Sequence, residues 1–224
     1  MFRLCNLSSS DTFYHLGVGN NISTLRIAAE EFKVKKAIGI DIDSSVIGSN
    51  ISKIEPLGNV DLIAENMFKQ PLNDATVVFS WFIDERINEI LVGKFQSELK
   101  SQAQIISVWS PPGLFLPDKV DFPITICKKP FRLGKSIKDQ LEVIYSSDCI
   151  DFTASWNLAD KYIKAFGNVD KSYYRFLNIL HSLIIWFNAR EIGIACEDEV
   201  PPPVKSYVGI LRYFFNIDMS EFIK

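Results

Sequence analysis

Gly17 and Gly19 stand one residue apart in "HLGVGNN", after the apolar run "TFYHLGV" and before the helical-looking "ISTLRIAAEEF". Glycine at these places lets the chain turn tightly at Gly17 and lets backbone approach a bound molecule closely at Gly19. Asn20 and Asn21 suit the same turn, because asparagine tolerates left-handed backbone and is a strong helix N-cap. Asp41 ends the second predicted strand, in "GIDID", 22 residues after Gly19, where a carboxylate can accept both ribose hydroxyls of a nucleoside. Asp43, two residues on, reads as an exposed loop or capping residue of the next helix. A dinucleotide fingerprint would put Gly or Ala at position 22, and Ile22 stands there. That weighs against a pyrophosphate-bearing nicotinamide cofactor and leaves adenosylmethionine, which has no pyrophosphate.

Such a turn needs a strand before it and a helix after it, and the first 110 residues alternate between the two periods. Continuous apolar, β-rich runs at 12–18, 36–42, 60–65, 75–82 and 104–109 predict strands covered on both faces. Between them, helical spacing links Ile22, Leu25, Ala29 and Phe32, then Val46, Ile47, Ile51 and Ile54, then Ile87, Ile90, Leu91, Phe95 and Leu99. The alternation predicts an α/β fold: a Rossmann-like, doubly wound, mainly parallel sheet. "DFPITIC" adds one or two antiparallel edge strands. In such sheets a ligand lies beyond the carboxyl ends of the strands, beside the reversal of strand order, and "GVGNN" belongs to the first turn there.

From about Gly134 the pattern becomes helical, so the chain divides into a Rossmann domain, 1–133, and a helical extension, 134–224. The helices are predicted in "SIKDQLEVIYSS", "NLADKYIKAFG", "DKSYYRFLNILHSLIIWFNAREIG" and "VKSYVGILRYFFN". The third is apolar on more than one face through Tyr173, Phe176, Leu177, Leu180, Leu183, Ile184, Trp186 and Phe187, which predicts a buried helix.

With 224 residues, 47% hydrophobic, and a net charge of -3, the chain has the makings of a globular protein with a sizeable core. There is no basic stripe to neutralise phosphates, so no nucleic-acid partner is expected. Cys5, Cys127, Cys149 and Cys196 are scattered singly and read as reduced, mostly buried thiols of a cytoplasmic protein. No signal peptide and no membrane segment are expected; "LNILHSLIIWF" is about half a membrane span.

Residues 7 to about 109 resemble the class I S-adenosylmethionine-dependent methyltransferases, and within them small archaeal protein-lysine methyltransferases related to the Dot1 group. The resemblance is carried by "SSSDTFYHLGVGNN", "FKVKKAIGIDID", "AENMFKQPLNDATVV" and "INEILVGKFQSELK" before "AQIISV", in matching order and spacing. It implies S-adenosylmethionine as cofactor, with Gly17 and Gly19 under its methionine and ribose, Asn20 in the loop, and Asp41 on the ribose hydroxyls. It further implies Asn66 beside the adenine amino group, Met67 on the ring, and Ser80 and Trp81 on the strand facing the transferred methyl group. His15 stands where the family usually has an acidic residue beside the cofactor's ammonium, and reads as a hydrogen-bonded structural side chain. About eleven residues precede the first strand, so the methionine end of the site is expected to be open unless the C-terminal helices or a second subunit close it. No "NPPY"-type motif follows the fourth strand; "SPPG" at 110–113 reads as a turn.

The resemblance implies methyl transfer, with a protein lysine as acceptor. The alternative is a methyltransferase-like domain that no longer turns over and serves as a scaffold or partner-binding protein. In either case a protein substrate or partner chain would meet the C-terminal helices. His181 reads as a core or interface histidine. Glu197, Asp198 and Glu199 are consecutive and read as a solvated loop rather than a cation site, so no metal is assigned. Trp186, Phe187, Tyr213, Phe214 and Phe215 stand at helical spacing and read as core.

Overall fold

The computed structural model describes the chain except for Ile83, Gly167, Asn168 and Lys224. It divides into two compact units, Met1–Gln140 and Leu141–Lys224.

The first unit runs β1 (Thr12–Leu16), α1 (Ser23–Glu30), β2 (Lys36–Asp41), α2 (Ser44–Ile54), β3 (Val60–Ala64), β4 (Val77–Ser80), α3 (Glu85–Glu98) and β5 (Gln104–Val108). The short β6 (Phe115–Leu116), then β7 (Lys119–Asp121), β8 (Ile124–Lys128) and β9 (Arg132–Leu133) follow. Seven strands form one sheet in the order β3-β2-β1-β4-β5-β8-β7. The first five are parallel, as their continuous apolar runs required, and "DFPITIC" contributes to the antiparallel hairpin β7–β8 against β5. The two-residue pair β6–β9 lies outside this sheet and carries no sequence pattern that would have announced it.

Every residue of β1 is buried, because both faces are covered. Phe13 joins Leu25, Ala28 and Ala29 of α1 in one core, and Tyr14 and Leu16 join Leu91 and Phe95 of α3 in the other. Gly39 of β2 lets α1 sit close: a Cβ there would stand 2.6 Å from Leu25 Cδ1 and 2.8 Å from Leu62 Cδ2. The helical stripes are narrower than their spacing suggested. Ile51 and Ile90 face solvent, and the buried positions of α2 are Ile47, Asn50 and Ile54.

The division between the units falls inside α4 (Ile137–Tyr145). The second unit is α5 (Phe152–Phe166), α6 (Lys171–Glu191), α7 (Pro202–Phe215) and a 3₁₀ turn at Ser220–Ile223. α5 begins earlier than the segment from Asn157 indicated, and Gly167 at the end of that segment lies outside the described residues. Asp170 caps α6 by accepting the Ser172 N–H at 2.8 Å, and left-handed Asn216 ends α7. Phe152, Ile179, Leu183, Trp186, Phe187, Val204, Val208 and Leu211 form the core of this unit.

Three expectations for this unit are corrected. α6 is not buried all round, since Tyr173 and Ile184 face outward. Tyr213, Phe214 and Phe215 are not core: they are 82%, 71% and 50% exposed, because only the Val204–Val208–Leu211 face of α7 is packed. Finally, Cys149 and Cys196 are not reduced, buried thiols. They form a disulfide across 47 residues, brought together by the bridge between Ile150 and Ala195. Cys5 and Cys127, in the first unit, are free and buried.

A candidate cofactor site at the switch point

Strand order reverses between β1 and β4, where Leu16 pairs with Ser80. The connections leaving these two strands turn to opposite faces and leave a crevice at their carboxyl ends. Gly17 and Gly19 both lie in the left-handed region, with φ of +71° and +59°. Gly17 and Val18 donate their N–H groups to Ile40 O at 2.8 and 3.0 Å, which hangs the turn on the end of β2. A Cβ on Gly19 would meet nothing within 4 Å, so open space lies in front of that residue. One on Gly17 would stand 2.9 Å from the Phe82 ring.

The glycines supply the left-handed backbone that the asparagines were also fit to supply. Asn20 is exposed and neither asparagine has a positive φ. Asn21 Oδ1 accepts the Ser23 N–H at 2.9 Å, one residue short of the N-cap position, which Ile22 holds with no side-chain bond.

Asp41 stands at the end of β2 with both oxygens aimed at backbone: Oδ2 accepts Gly19 N–H at 2.8 Å and Oδ1 accepts Asp43 N–H at 3.0 Å. A carboxylate has about four acceptor positions, so each oxygen keeps one for a hydroxyl. Asp43 is the N-cap of α2, accepting from Ser45 and Val46; the Ser45 hydroxyl and N–H hold its carboxyl below the usual carboxylate range.

Two contributors escaped the sequence reading. Asn50, fully buried in α2, donates to Val46 O at 2.9 Å and to Gly19 O at 3.4 Å, bracing the glycine loop from below. Its signal was a polar residue at a core-spaced position between Ile47 and Ile54. Ile42, next to Asp41, is 74% exposed, an aliphatic side chain at the strand end with a flat apolar surface to offer.

His15 is buried on β1, its Nδ1 2.7 Å from Thr24 Oγ1 and its ring edge-on to Phe79 at 4.8 Å. Burial pushes its imidazole down to about 4, against the opposing pull of the Asp41 charge, so the ring is neutral at physiological pH. Asn66 Oδ1 accepts the Phe68 N–H at 2.9 Å and shapes the turn after β3. Met67 is half-buried and packs on the α3-side core. That turn is tied to α3, where buried Lys94 donates to Phe68 O at 3.2 Å and pairs with Glu98 at 2.7 Å. Ser80 is buried at the end of β4, and Trp81 beyond it is exposed. Asn88 donates to Phe82 O at 3.1 Å and fixes the exit of β4 to α3.

The donor set fits a nucleoside cofactor at its ribose end: a left-handed turn at Gly17 and Gly19, with open space in front of Gly19, and a carboxylate with acceptor capacity to spare. At the opposite end of the loop His15 brings no negative charge. Among the described residues there is no His, Cys, Asp and Glu grouping able to hold a metal ion, and no helix long and apolar enough to cross a membrane.

No family model matches the chain. Over 110 residues, 48% of this chain and 67% of the relative, it is 32% identical to a protein-lysine N-methyltransferase of Saccharolobus islandicus strain REY15A. Its structure is similar to an RNA methyltransferase from Salinibacter ruber in complex with S-adenosyl-L-homocysteine. The TM-score is 0.53 at 20% identity, over 60% of this chain and 91% of that one, a likeness of fold. The sheet has the Rossmann-like fold of the class I S-adenosylmethionine-dependent methyltransferases. The chain belongs to the family of the Saccharolobus protein-lysine N-methyltransferase.

Proposed function

We propose that this methyltransferase transfers the methyl group to a lysine amine of a protein. The observation that supports the acceptor is the match to the lysine-modifying relative, and the crevice between β1 and β4 is where the transfer takes place. When bound, S-adenosylmethionine supplies a methyl group activated by its sulfonium sulfur. Gly17 and Gly19 give backbone without side chains beneath it, Asp41 accepts from the ribose hydroxyls, and Ile42 packs on the flat base. Exposed Trp81 walls the exit of β4 and lies against the methylene stem of an incoming lysine. The lysine ammonium must lose a proton before its nitrogen attacks. Beyond that, the rate comes from alignment of nitrogen, methyl carbon and sulfur rather than from a dedicated acid or base.

The exposed aromatic end of α7, Tyr213 to Phe215, is the surface through which the helical unit meets a protein substrate or partner. A cytoplasmic location belongs to the same proposal; intracellular disulfides are known from hyperthermophile proteins. The test is incubation with methyl-labelled S-adenosylmethionine and a mixture of lysine-rich proteins, followed by mass spectrometry. Methyllysine on the acceptors, absent with Asp41→Ala, supports the proposal; label on another residue type or on nucleic acid overturns it.

A further inference from the structure

We propose that Cys149 and Cys196 form a redox-active latch in the helical unit, opened and closed by dithiol chemistry, whose state sets the order of the segment between α6 and α7 and of the start of α5. Cys149 stands just before Phe152, the first residue of α5, and Cys196 lies in the connection from α6 to α7. Between them Ile150 N–H donates to Ile194 O at 2.8 Å and Cys196 N–H to Ile150 O at 3.1 Å, a short ladder that the disulfide staples at one end. Ile150 and Ile194 are buried under this ladder, whereas Cys196 is exposed and Cys149 half-buried. A disulfide within reach of an attacking thiolate belongs to the labile kind, unlike one sealed in a core.

The step balances with a dithiol as reductant. Its thiolate attacks Cys196 Sγ, the S–S bond breaks with the electron pair going to Cys149 Sγ, and the reductant's second thiol displaces Cys196 from the mixed disulfide. Two electrons and two protons end on the protein as two thiols, and the reductant ends as a cyclic disulfide. Opening the bond frees a loop of 47 residues that contains α5 and α6, and leaves the ladder to two backbone hydrogen bonds. The remaining cysteines do not compete: Cys127 is buried and its thiol pushed up to about 12, and burial also raises the thiol of Cys5. The inference stands independently of the methyl acceptor.

The test uses the full chain, purified without reductant, and reads native alkylation by mass and amide hydrogen exchange before and after dithiothreitol. The latch predicts no rapid adduct before reduction and two after it, at Cys149 and Cys196. It also predicts faster exchange at Ile150, Ile194 and Cys196, unchanged exchange in β1, β2 and β4, and reversal on reoxidation. The thermal midpoint of the helical unit falls by about 10–30 °C on reduction. Cys149→Ser with Cys196→Ser reproduces the faster amide exchange of the reduced protein with or without reductant. Two adducts in the untreated protein overturn the proposal, and so does reduction that leaves the exchange at Ile150 and Cys196 unchanged.

Discussion

Asp41 Oδ2 accepts the backbone N–H of Gly19 at 2.8 Å, so the acidic end of β2 and the glycine turn after β1 are one structure before any ligand arrives. The carboxylate therefore has two tasks. It holds Gly19 and Asp43 in place, and in the proposed function it offers its remaining acceptor positions to the ribose.

Asp41→Ala removes both bonds. Hydrogen bonds to a charged group contribute about 1.5–3 kcal/mol each, part of which solvent restores at this half-exposed site, so a stability loss of about 2 kcal/mol is expected. S-adenosylmethionine affinity falls at least about tenfold in addition. Asp41→Asn keeps an acceptor for Gly19 and regains much of the stability but little of the affinity. Thermal unfolding without ligand and calorimetric titration separate the two; equal recovery of both by Asn would show that the carboxylate acts only on the fold.

His15 gives a pH dependence of defined sign. Its folded value of about 4 lies below the ordinary 6.5, so the unfolded chain binds the proton first as pH falls. The stability tied to its neutral ring is complete above about pH 6.5 and is lost progressively down to about pH 4, by up to about 3 kcal/mol. In His15→Asn the loss of stability over this window is smaller than in the parent chain, as measured by denaturant unfolding at pH 7 and pH 5. His15→Asp restores the family's usual charge, yet it buries a carboxylate against Phe79 and near Asp41, so it destabilises the fold. An undiminished pH dependence in His15→Asn would contradict the assignment.

Much of this was written in local sequence. The parallel strands were legible because a strand covered on both faces is continuously apolar, and the tight turn at Gly17 and Gly19 and the place of Asp41 at the end of β2 were legible because their spacing reflects one turn and one crossover. What the sequence withheld depends on partners distant along the chain. Helical spacing marks Tyr213, Phe214 and Phe215 as readily as Val204, Val208 and Leu211, and only packing shows which face has a neighbour. The pairing of Cys149 with Cys196 rests on a bridge formed by residues 45 apart, Ile150 and Ala195, which no local pattern encodes. Asn50 looked like an ordinary polar helix residue until Gly19 O was placed above it.

Lys94 ties α3 to the turn that carries Asn66 and Met67. Its ammonium is almost wholly enclosed, bonded to Glu98 and Phe68 O, while Glu98 also accepts the Leu72 N–H at 2.8 Å. Lys94→Met leaves Glu98 without its counter-ion, and a loss of about 2–4 kcal/mol is expected, somewhat below the cost at a fully buried pair. The double change with Glu98→Gln recovers part of it. Additive losses in that double-mutant cycle would show that the two side chains do not act together.

The central claim is that the crevice between β1 and β4 holds S-adenosylmethionine for methyl transfer. Isothermal titration of the folded chain with S-adenosylmethionine, and with its demethylated product S-adenosylhomocysteine, tests it most directly. The account predicts one site per chain for both, with heats lost together in Asp41→Ala. A folded protein that takes up neither compound at millimolar concentration, or binds both equally well after Asp41→Ala, contradicts it.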